Sequence, residues 1–190
     1  MTTAPRIVGF GGTLSKTSTT TAALRAVLGS AARKGAEVEL VEIGGLGLPN
    51  YEWGLEAPPA AITFAEALYS ADALVWASPL YHGTVSGLFK NAIDWLELLR
   101  DRTPAYLTDK PVGLIGVAAG GHALSAIGTM EQIVRSLRGW TVPFVVPINR
   151  ASEVFERDGS VKPGIVDEQL ALLGTELVRA ANLFRHAPPR

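Results

Sequence analysis

Hydroxyl side chains are concentrated in one short stretch of the sequence, GGTLSKTSTTTAAL. Six of the eight residues from 13 to 20 are serine or threonine. The stretch leads into a helical pattern, and the free N–H groups at the start of a helix attract anions. The alternative is that these residues only cap the helix, for which one hydroxyl is enough. We predict a phosphate-binding loop whose ligands are Thr13, Ser15, Lys16, Ser18, Thr19 and Thr20.

Two known phosphate motifs fit this stretch only in part. The P-loop pattern requires a glycine where this chain has Ser15. The dinucleotide pattern Gly-x-Gly-x-x-Gly is met at Gly9 and Gly11, but Leu14 occupies its third place. A monophosphate held by hydroxyls and backbone N–H groups therefore fits the stretch better than a nucleotide di- or triphosphate.

A second stretch, SPLYHGTVSG, lies where another apolar run ends and a helical pattern begins. Tyr81 offers a flat apolar ring with a polar tip, and Gly83 allows a ligand to approach the backbone closely. These features suit the face and edge of a planar aromatic ligand, whereas the alternative is an ordinary turn with an exposed tyrosine. The predicted binding residues here are Pro79, Leu80, Tyr81, His82 and Gly83.

Strand patterns and helix patterns alternate along the whole chain, and they must position these stretches. The sequence contains five such strands, without a repeat or a composition break. This predicts one α/β domain over residues 1–190, with a three-layer, doubly wound, five-stranded parallel sheet and a frayed tail at 186–190. For the strand order 2-1-3-4-5, ligands bind beyond the carboxyl ends of strands 1 and 3. Three loops are expected there: loop 1 (11–20), loop 2 (79–86) and loop 3 (118–122).

Composition argues against several classes of function. The chain has no cysteine, which removes disulfides, thiolate catalysis and iron–sulfur clusters and is typical of a reducing compartment. A net charge of −1 argues against a nucleic-acid groove. No apolar run reaches the ~18 residues of a membrane span, and the N-terminus lacks the pattern of a signal peptide. We expect a cytoplasmic protein that binds neither nucleic acid nor membrane.

The run ADALVWASPLYHGTVSGLFKNAIDWL resembles the NAD(P)H-dependent FMN reductase family, which has a flavodoxin-like fold. The family pattern is Pro-x-Tyr-x-Gly-Ser/Thr, then, after a short gap, Gly-x-x-Lys-Asn-Ala-x-Asp-Trp. The matching residues are Pro79, Tyr81, Gly83, Thr84, Gly87, Lys90, Asn91, Ala92, Asp94 and Trp95.

Loop 1 is similar to the family's phosphate-binding pattern, Gly-Ser-x-Arg-x-x-Ser-x-Asn, with two departures. Ser15 stands in place of the arginine and Thr20 in place of the asparagine. Lys16 is then the candidate for the missing positive charge. The resemblance also implies that loop 3, at Ala119, Gly120 and Gly121, brings its backbone near the pyrimidine edge of the flavin.

The resemblance implies that the protein binds FMN, uses NADPH or NADH as co-substrate and reduces a second small-molecule acceptor by ping-pong kinetics. The acceptor classes are free flavin, a quinone, an azo compound and a metal oxyanion such as chromate. FMN would be the reactive group, so no side chain is predicted as an acid or base, with His82 as the one candidate proton donor. His82 and His122 lack a third ligand, and no metal site is predicted.

Two other functions stay open at this point. A flavodoxin-type electron carrier would bind FMN without oxidising nicotinamide, but such carriers are strongly acidic and this chain is nearly neutral. A nucleotide-binding regulatory module would use loop 1 as a modified phosphate site. A serine hydrolase is not supported, because the sequence contains no Gly-x-Ser-x-Gly elbow.

Helix 88–100 is apolar on more of its circumference than one sheet face requires. We therefore expect a homodimer or homotetramer formed partly through this helix, the alternative being a helix buried deeply in a monomer. Lys90, Asn91 and Asp94 would position neighbouring groups, and the loop 44–58 would wall a substrate pocket. The apolar residues of the helix are Leu88, Phe89, Ala92, Ile93, Trp95, Leu96 and Leu99.

Overall fold

The computed structural model describes residues 3–15 and 17–186. Its strands are β1 (Arg6–Gly11), β2 (Glu37–Glu42), β3 (Ala73–Tyr81), β4 (Thr84–Val85), β5 (Pro111–Val117) and β6 (Trp140–Ile148). The main sheet has the order β2-β1-β3-β5-β6, and its neighbouring strands are all parallel. This confirms the predicted order of the five long strands. The prediction missed the sixth, β4, which pairs antiparallel with the end of β3.

The helices of the described chain follow the predicted alternation, with one correction. They are α1 (Thr19–Arg33), α2 (Pro59–Tyr69), α3 (Gly87–Asp94), α4 (Ala123–Ser136), α5 (Ala151–Val154) and α6 (Ile165–Arg185). The predicted single helix 88–100 is wrong in its second half, because α3 ends at Asp94 and a 3₁₀ turn covers Trp95–Leu99. Such tightening of the last turn is common where an α-helix ends. Of the predicted frayed tail, residues 187–190 lie outside the described part of the chain.

Each face of the sheet packs against its own set of helices. On one face, α2, α3 and α4 surround an aromatic group in which the rings of Phe10 and Phe89 stack with centroids 5.3 Å apart. On the other face, α1 and α6 cover the sheet with aliphatic side chains. A Cβ added to Gly174 of α6 would lie 2.6 Å from the carbonyl oxygen of Val27, so these two helices approach closely. The result is the predicted three-layer architecture.

The apolar stripe of α3 and its 3₁₀ extension is buried inside this chain. Phe89 and Trp95 are 0% and 1% exposed. The reason is the loop that follows β2: Leu46 and Leu48 pack against the same core, and the Trp95 indole N–H donates to the carbonyl oxygen of Pro49 at 3.0 Å. The expectation that this stripe offers a surplus apolar face to a partner is therefore wrong.

No helix within residues 3–15 and 17–186 combines the length and apolar character needed to cross a bilayer.

Candidate functional site

The three predicted loops leave the sheet at the same edge. Gly11 at the end of β1 pairs with Ala77 of β3, and Pro79 pairs with Val117 at the end of β5. Loops 1 and 2 meet in a cleft of about 240 Å³. The residues that line this cleft are Thr13, Leu14, Ser15, Pro79, Tyr81, Ser86, Gly87 and Leu88. Four predicted ligands, two from each loop, are thus brought together.

Two glycines at the start of loop 1 permit this geometry. Gly11 has φ +149°, and a Cβ added to it would collide with the carbonyl oxygen of Ala77. Gly12 has φ +102°, and its Cβ would lie 2.7 Å from the hydroxyl oxygen of Thr21. Any side chain at these positions would push loop 1 away from β3 and from the first turn of α1, so the cleft depends on both glycines.

The hydroxyls of loop 1 bind the loop's own backbone. Thr13 Oγ1 accepts a hydrogen bond from the N–H of Ser15 at 3.0 Å, and Ser15 Oγ accepts one from the N–H of Thr17 at 3.3 Å. Ser18 is the N-cap of α1, because its Oγ accepts from the N–H of Thr21 at 3.2 Å. The capping role that the sequence left open is therefore real for Ser18. The hydroxyls of Ser15 and Thr17 also lie 3.4 Å apart, where either can donate to the other.

The remaining predicted ligands of loop 1 differ in what they can offer. Thr20 is 1% exposed and lines neither the cleft nor the cavity formed by its neighbours. Thr17, Ser18 and Thr19 line a separate cavity next to the cleft. Lys16 lies outside the described residues.

Loop 2 forms a β-hairpin with a two-residue turn, whereas the sequence suggested a simple strand-to-helix turn. Tyr81 pairs with Thr84, and the two residues between them, His82 and Gly83, have φ of 49° and 88°. Positive φ at both central positions is the type I′ turn, which favours glycine and matches the twist of paired strands. A Cβ on Gly83 would meet no protein atom within 4 Å. Glycine is therefore favoured here by the positive φ of the backbone and not by a lack of space within the chain.

The hairpin is anchored on both sides. The N–H of Ser86 donates to Ser78 Oγ at 3.1 Å, and Ser86 Oγ caps α3 by accepting from the N–H of Phe89 at 3.1 Å. The hydroxyls of Thr84 and Thr129 lie 3.0 Å apart, which joins the hairpin to α4. The sequence analysis missed Ser86, although a serine directly before a helical pattern is a recognised capping signal.

Loop 3 lies at the same sheet edge, but its residues are not among those lining the cleft. Ala119, Gly120 and Gly121 are exposed. The loop is tied to the end of β6, because the N–H of Arg150 donates to the carbonyl oxygen of Gly120 at 2.7 Å. Within the described chain, no cluster of three or more His, Cys, Asp or Glu could hold a metal ion.

This arrangement, a hydroxyl-rich turn after β1 and a hairpin after β3 on a 2-1-3 parallel sheet, defines a flavodoxin-like α/β protein. The model of the NADPH-dependent FMN reductase family matches residues 5–153. The chain belongs to this family. A solved structure with the same fold is the flavoenzyme NAD(P)H:(acceptor) oxidoreductase FerB from Paracoccus denitrificans. It is 25% identical, with a TM-score of 0.77 over 95% of this chain and 98% of that chain.

Curated relatives carry related names. An NAD(P)H-dependent FMN reductase of Pseudomonas aeruginosa is 36% identical over 117 residues, which are 60% of this chain and 60% of that protein. The NADPH-dependent FMN reductase ArsH of Acidithiobacillus ferrooxidans is 28% identical over 80% of this chain and 62% of its own length. An FMN-dependent NADPH-azoreductase of Staphylococcus aureus is 37% identical over 50% of this chain and 47% of that protein. The chain therefore spans about 60% or less of these relatives' lengths.

Proposed function

We propose that this protein is an FMN-dependent oxidoreductase that oxidises NADPH or NADH and reduces a second small-molecule acceptor. The observation that carries this proposal is the cleft in which Thr13 and Ser15 of loop 1 face Pro79 and Tyr81 of loop 2. It places hydroxyl donors and an apolar wall side by side, as a ligand with a phosphate and a flat ring requires.

The residues present fit FMN group by group. The hydroxyls of loop 1 and the N–H groups of Thr19 and Thr20, at the start of α1, are donors for a phosphate. Tyr81 is 53% exposed, so its ring is free to lie against a planar ligand. The N–H groups of the His82–Gly83 turn are the donors for the ring's polar edge, and loop 3 supplies further backbone groups at Ala119, Gly120 and Gly121.

FMN, when bound, supplies the two-electron chemistry, and the protein's task is to bind, orient and shield it. The role of loop 2 is therefore to position the flavin ring rather than to transfer protons. Its short hairpin, capped by Ser86 and joined to α4 through Thr84, keeps the backbone at residues 80–83 in one conformation. His82 is the single side chain proposed as a candidate proton donor.

The acceptor belongs to the classes that the relatives' names suggest, quinones and azo compounds among them, or is free flavin or chromate. Nicotinamide and acceptor are proposed to use the same cleft and therefore to bind in turn, which is ping-pong kinetics. The proposal treats residues 1–190 as one FMN-binding domain acting in the cytoplasm, with no nucleic-acid or membrane partner.

We also propose a homodimer or homotetramer, formed through a different surface from the buried stripe of α3 that the sequence suggested. Trp53, Leu55 and Leu98 are 69%, 46% and 40% exposed and line one hollow with Tyr51. We call this the Trp53 patch. It lies over the outer side of the 3₁₀ turn that continues α3, and an apolar patch of this kind is often covered by a second copy.

Two titrations and one assay test the function. Purified protein is titrated with FMN and with riboflavin by flavin fluorescence, and steady-state oxidation of NADPH and NADH is then measured with menadione as acceptor. We expect FMN to bind more tightly than riboflavin and turnover to depend on added FMN. Binding of FMN without turnover would instead indicate a flavodoxin-type carrier, and no flavin binding would favour the nucleotide-binding module.

A further inference from the structure

The backbone of loop 3 offers hydrogen-bond donors that the described part of the chain does not use. The N–H groups of residues 119–122 donate to no acceptor among the described residues. Two carbonyl groups of the loop are engaged instead. That of Ala118 accepts the N–H of Ala151 at 3.0 Å, and that of Gly120 accepts the N–H of Arg150 at 2.7 Å. Loop 3 therefore holds two acceptors against the segment after β6 and leaves its donors free.

The direction of these donors follows from peptide geometry. The N–H and the C=O of one trans peptide unit point in opposite directions, and the peptide bonds of loop 3 are trans. The carbonyl groups of residues 118 and 120 point towards the segment after β6, so the N–H groups of Ala119 and Gly121, in the same two peptides, point away from it. Because β5 lies between β3 and β6 in the sheet, this direction is the side of β3, from which loop 2 emerges.

The side chains of loop 3 do not fix this conformation. Gly120 and Gly121 have no positive φ, and a Cβ on either would meet no protein atom within 4 Å. Neither backbone strain nor crowding within the chain therefore explains the two glycines. His122, the N-cap of α4, has φ 69° and makes no side-chain capping bond, whereas the usual N-cap accepts from the first turn through its own oxygen.

Asn149 supplies the missing contact from the end of the neighbouring strand. Its Oδ1 accepts the N–H of Ala123, the first residue of α4, at 3.0 Å. At the other end of loop 3, the N–H of Ala118 donates to the carbonyl oxygen of Ile148 at 2.8 Å. The segment 148–151 therefore holds loop 3 at both ends, by backbone groups where the loop starts and by the Asn149 side chain where it ends.

We propose that Asn149 is a positioning residue for the flavin ring. By holding the end of loop 3, it keeps the N–H groups of Ala119 and Gly121 aimed at the polar edge of the ring, where they meet hydrogen-bond acceptors. The proposal rests on the FMN-dependent function above. Since it concerns the ring and not the phosphate, the loss of Asn149 should weaken the binding of FMN and of riboflavin alike.

Fluorescence titrations with both flavins test this role. In Asn149→Ala the affinities for FMN and riboflavin should fall by the same factor, about three- to tenfold, because neutral hydrogen bonds to the ring are weakened. Asn149→Asp keeps an oxygen that accepts the N–H of Ala123 and should bind both flavins like the wild type. Asn182→Ala is the matched control. It makes the same change in the last turn of α6, where Arg185 donates to the carbonyl oxygen of Thr3 at the opposite edge of the sheet, and should leave both affinities unchanged.

Amide hydrogen exchange followed by NMR provides a readout that a purely structural role would not move. In the wild type, saturating FMN or riboflavin should slow exchange at Ala119 and Gly121, and it should slow exchange less in Asn149→Ala. The N–H of Ala118, which already donates to Ile148, should be protected with or without flavin. Thermal melting curves show separately whether each variant keeps its fold. A flavin-bound wild type without protection at residues 119 and 121 would contradict the proposed direction of the donors.

Three further results would refute the role of Asn149 while the proposed function stands. The first is a wild type that binds flavin and an Asn149→Ala variant that binds both flavins equally well. The second is a loss of affinity for FMN alone, which would mean that Asn149 acts on the phosphate and not on the ring. The third is an equal loss in Asn149→Ala and Asn149→Asp, which would mean that the accepting oxygen is not what loop 3 requires. A wild type that binds neither flavin would instead remove the proposed function together with this inference.

Discussion

The side-chain amide of Asn91 in α3 holds the loop after β2 through two hydrogen bonds. Its Oδ1 accepts the N–H of Tyr51 at 2.8 Å, and its Nδ2 donates to the carbonyl oxygen of Pro49 at 3.0 Å. The ring of Tyr51 then meets the ring of Trp95 edge to face, with centroids 5.3 Å apart. One side chain in the segment that follows loop 2 thus fixes the segment predicted to wall a substrate pocket.

We expect Asn91→Ala to lower the free energy of unfolding by about 1–3 kcal/mol, because it leaves the partly buried N–H of Tyr51 without a partner. If the loop walls the pocket, the KM for the acceptor should rise while FMN affinity stays unchanged. Asn91→Asp is the matched control, since it keeps the acceptor for Tyr51 but loses the donor to Pro49, and it should show a smaller effect. Thermal melts and acceptor kinetics measure this, and an unchanged KM in the destabilised variant would make Asn91 purely structural.

Ser18 caps α1, and substitutions can separate this role from its proposed role as a phosphate ligand. Ser18→Ala should cost about 1 kcal/mol of stability by removing the N-cap and weaken FMN binding roughly ten- to a hundredfold by removing a ligand hydroxyl. Ser18→Asp keeps the cap but sets a negative charge against the phosphate. It should melt like the wild type and bind FMN worse than Ser18→Ala. Equal FMN affinity in Ser18→Asp and the wild type would refute the phosphate assignment of loop 1.

Gly83 is sensitive because of its backbone conformation. Gly83→Ala should cost about 1–2 kcal/mol, the penalty for a side chain in the left-handed region, and Gly83→Val should cost more because it is branched at Cβ. Gly83→Asn should be tolerated, since asparagine is favoured in type I′ turns. Unfolding curves and FMN titrations provide the measurement. If Gly83→Asn and Gly83→Val reduce FMN affinity equally, the space beside the ligand, and not the φ of residue 83, explains the need for glycine.

His82 tests whether loop 2 acts only by position. His82→Ala should reduce kcat by no more than about tenfold if the side chain only contacts ligand, whereas a general acid would contribute about 10²–10⁴-fold. His82→Gly is a useful control, because glycine suits the φ of 49° at this position. A thousandfold loss of kcat in both variants with FMN still bound would make His82 a proton donor.

Self-association should depend on the Trp53 patch and not on the buried stripe. Trp53→Glu should shift light-scattering mass towards the monomer and leave the circular dichroism spectrum intact. Phe89→Glu should fail to fold, because it places a charge in a core without a partner. A wild type that is monomeric at micromolar concentration would contradict the proposed oligomer.

The order of the strands and the meeting of loops 1 and 2 could be predicted from the sequence, because both follow from alternation and from the handedness of parallel sheets. The hairpin at His82–Gly83 was missed because β4 has only two residues, too few for an alternating pattern. The direction of Phe89 and Trp95 was missed for another reason. Whether an apolar helix face is covered depends on a distant segment, here the loop at Leu46, Leu48 and Pro49.

The role of Thr20 shows a similar limit. The hydroxyl-rich sequence identified loop 1, but sequence alone could not tell which hydroxyls face a ligand, which cap the helix and which are buried. Ser18 does cap α1, and Thr20 is buried.

The most direct test of the account is anaerobic addition of NADPH to the protein loaded with one equivalent of FMN, followed by visible absorbance. We expect the oxidised flavin absorbance to bleach within the time of a turnover and to return when a quinone is added. The same addition to FMN without protein should leave the absorbance unchanged. Bound FMN that NADPH and NADH both fail to bleach would contradict the proposed oxidoreductase.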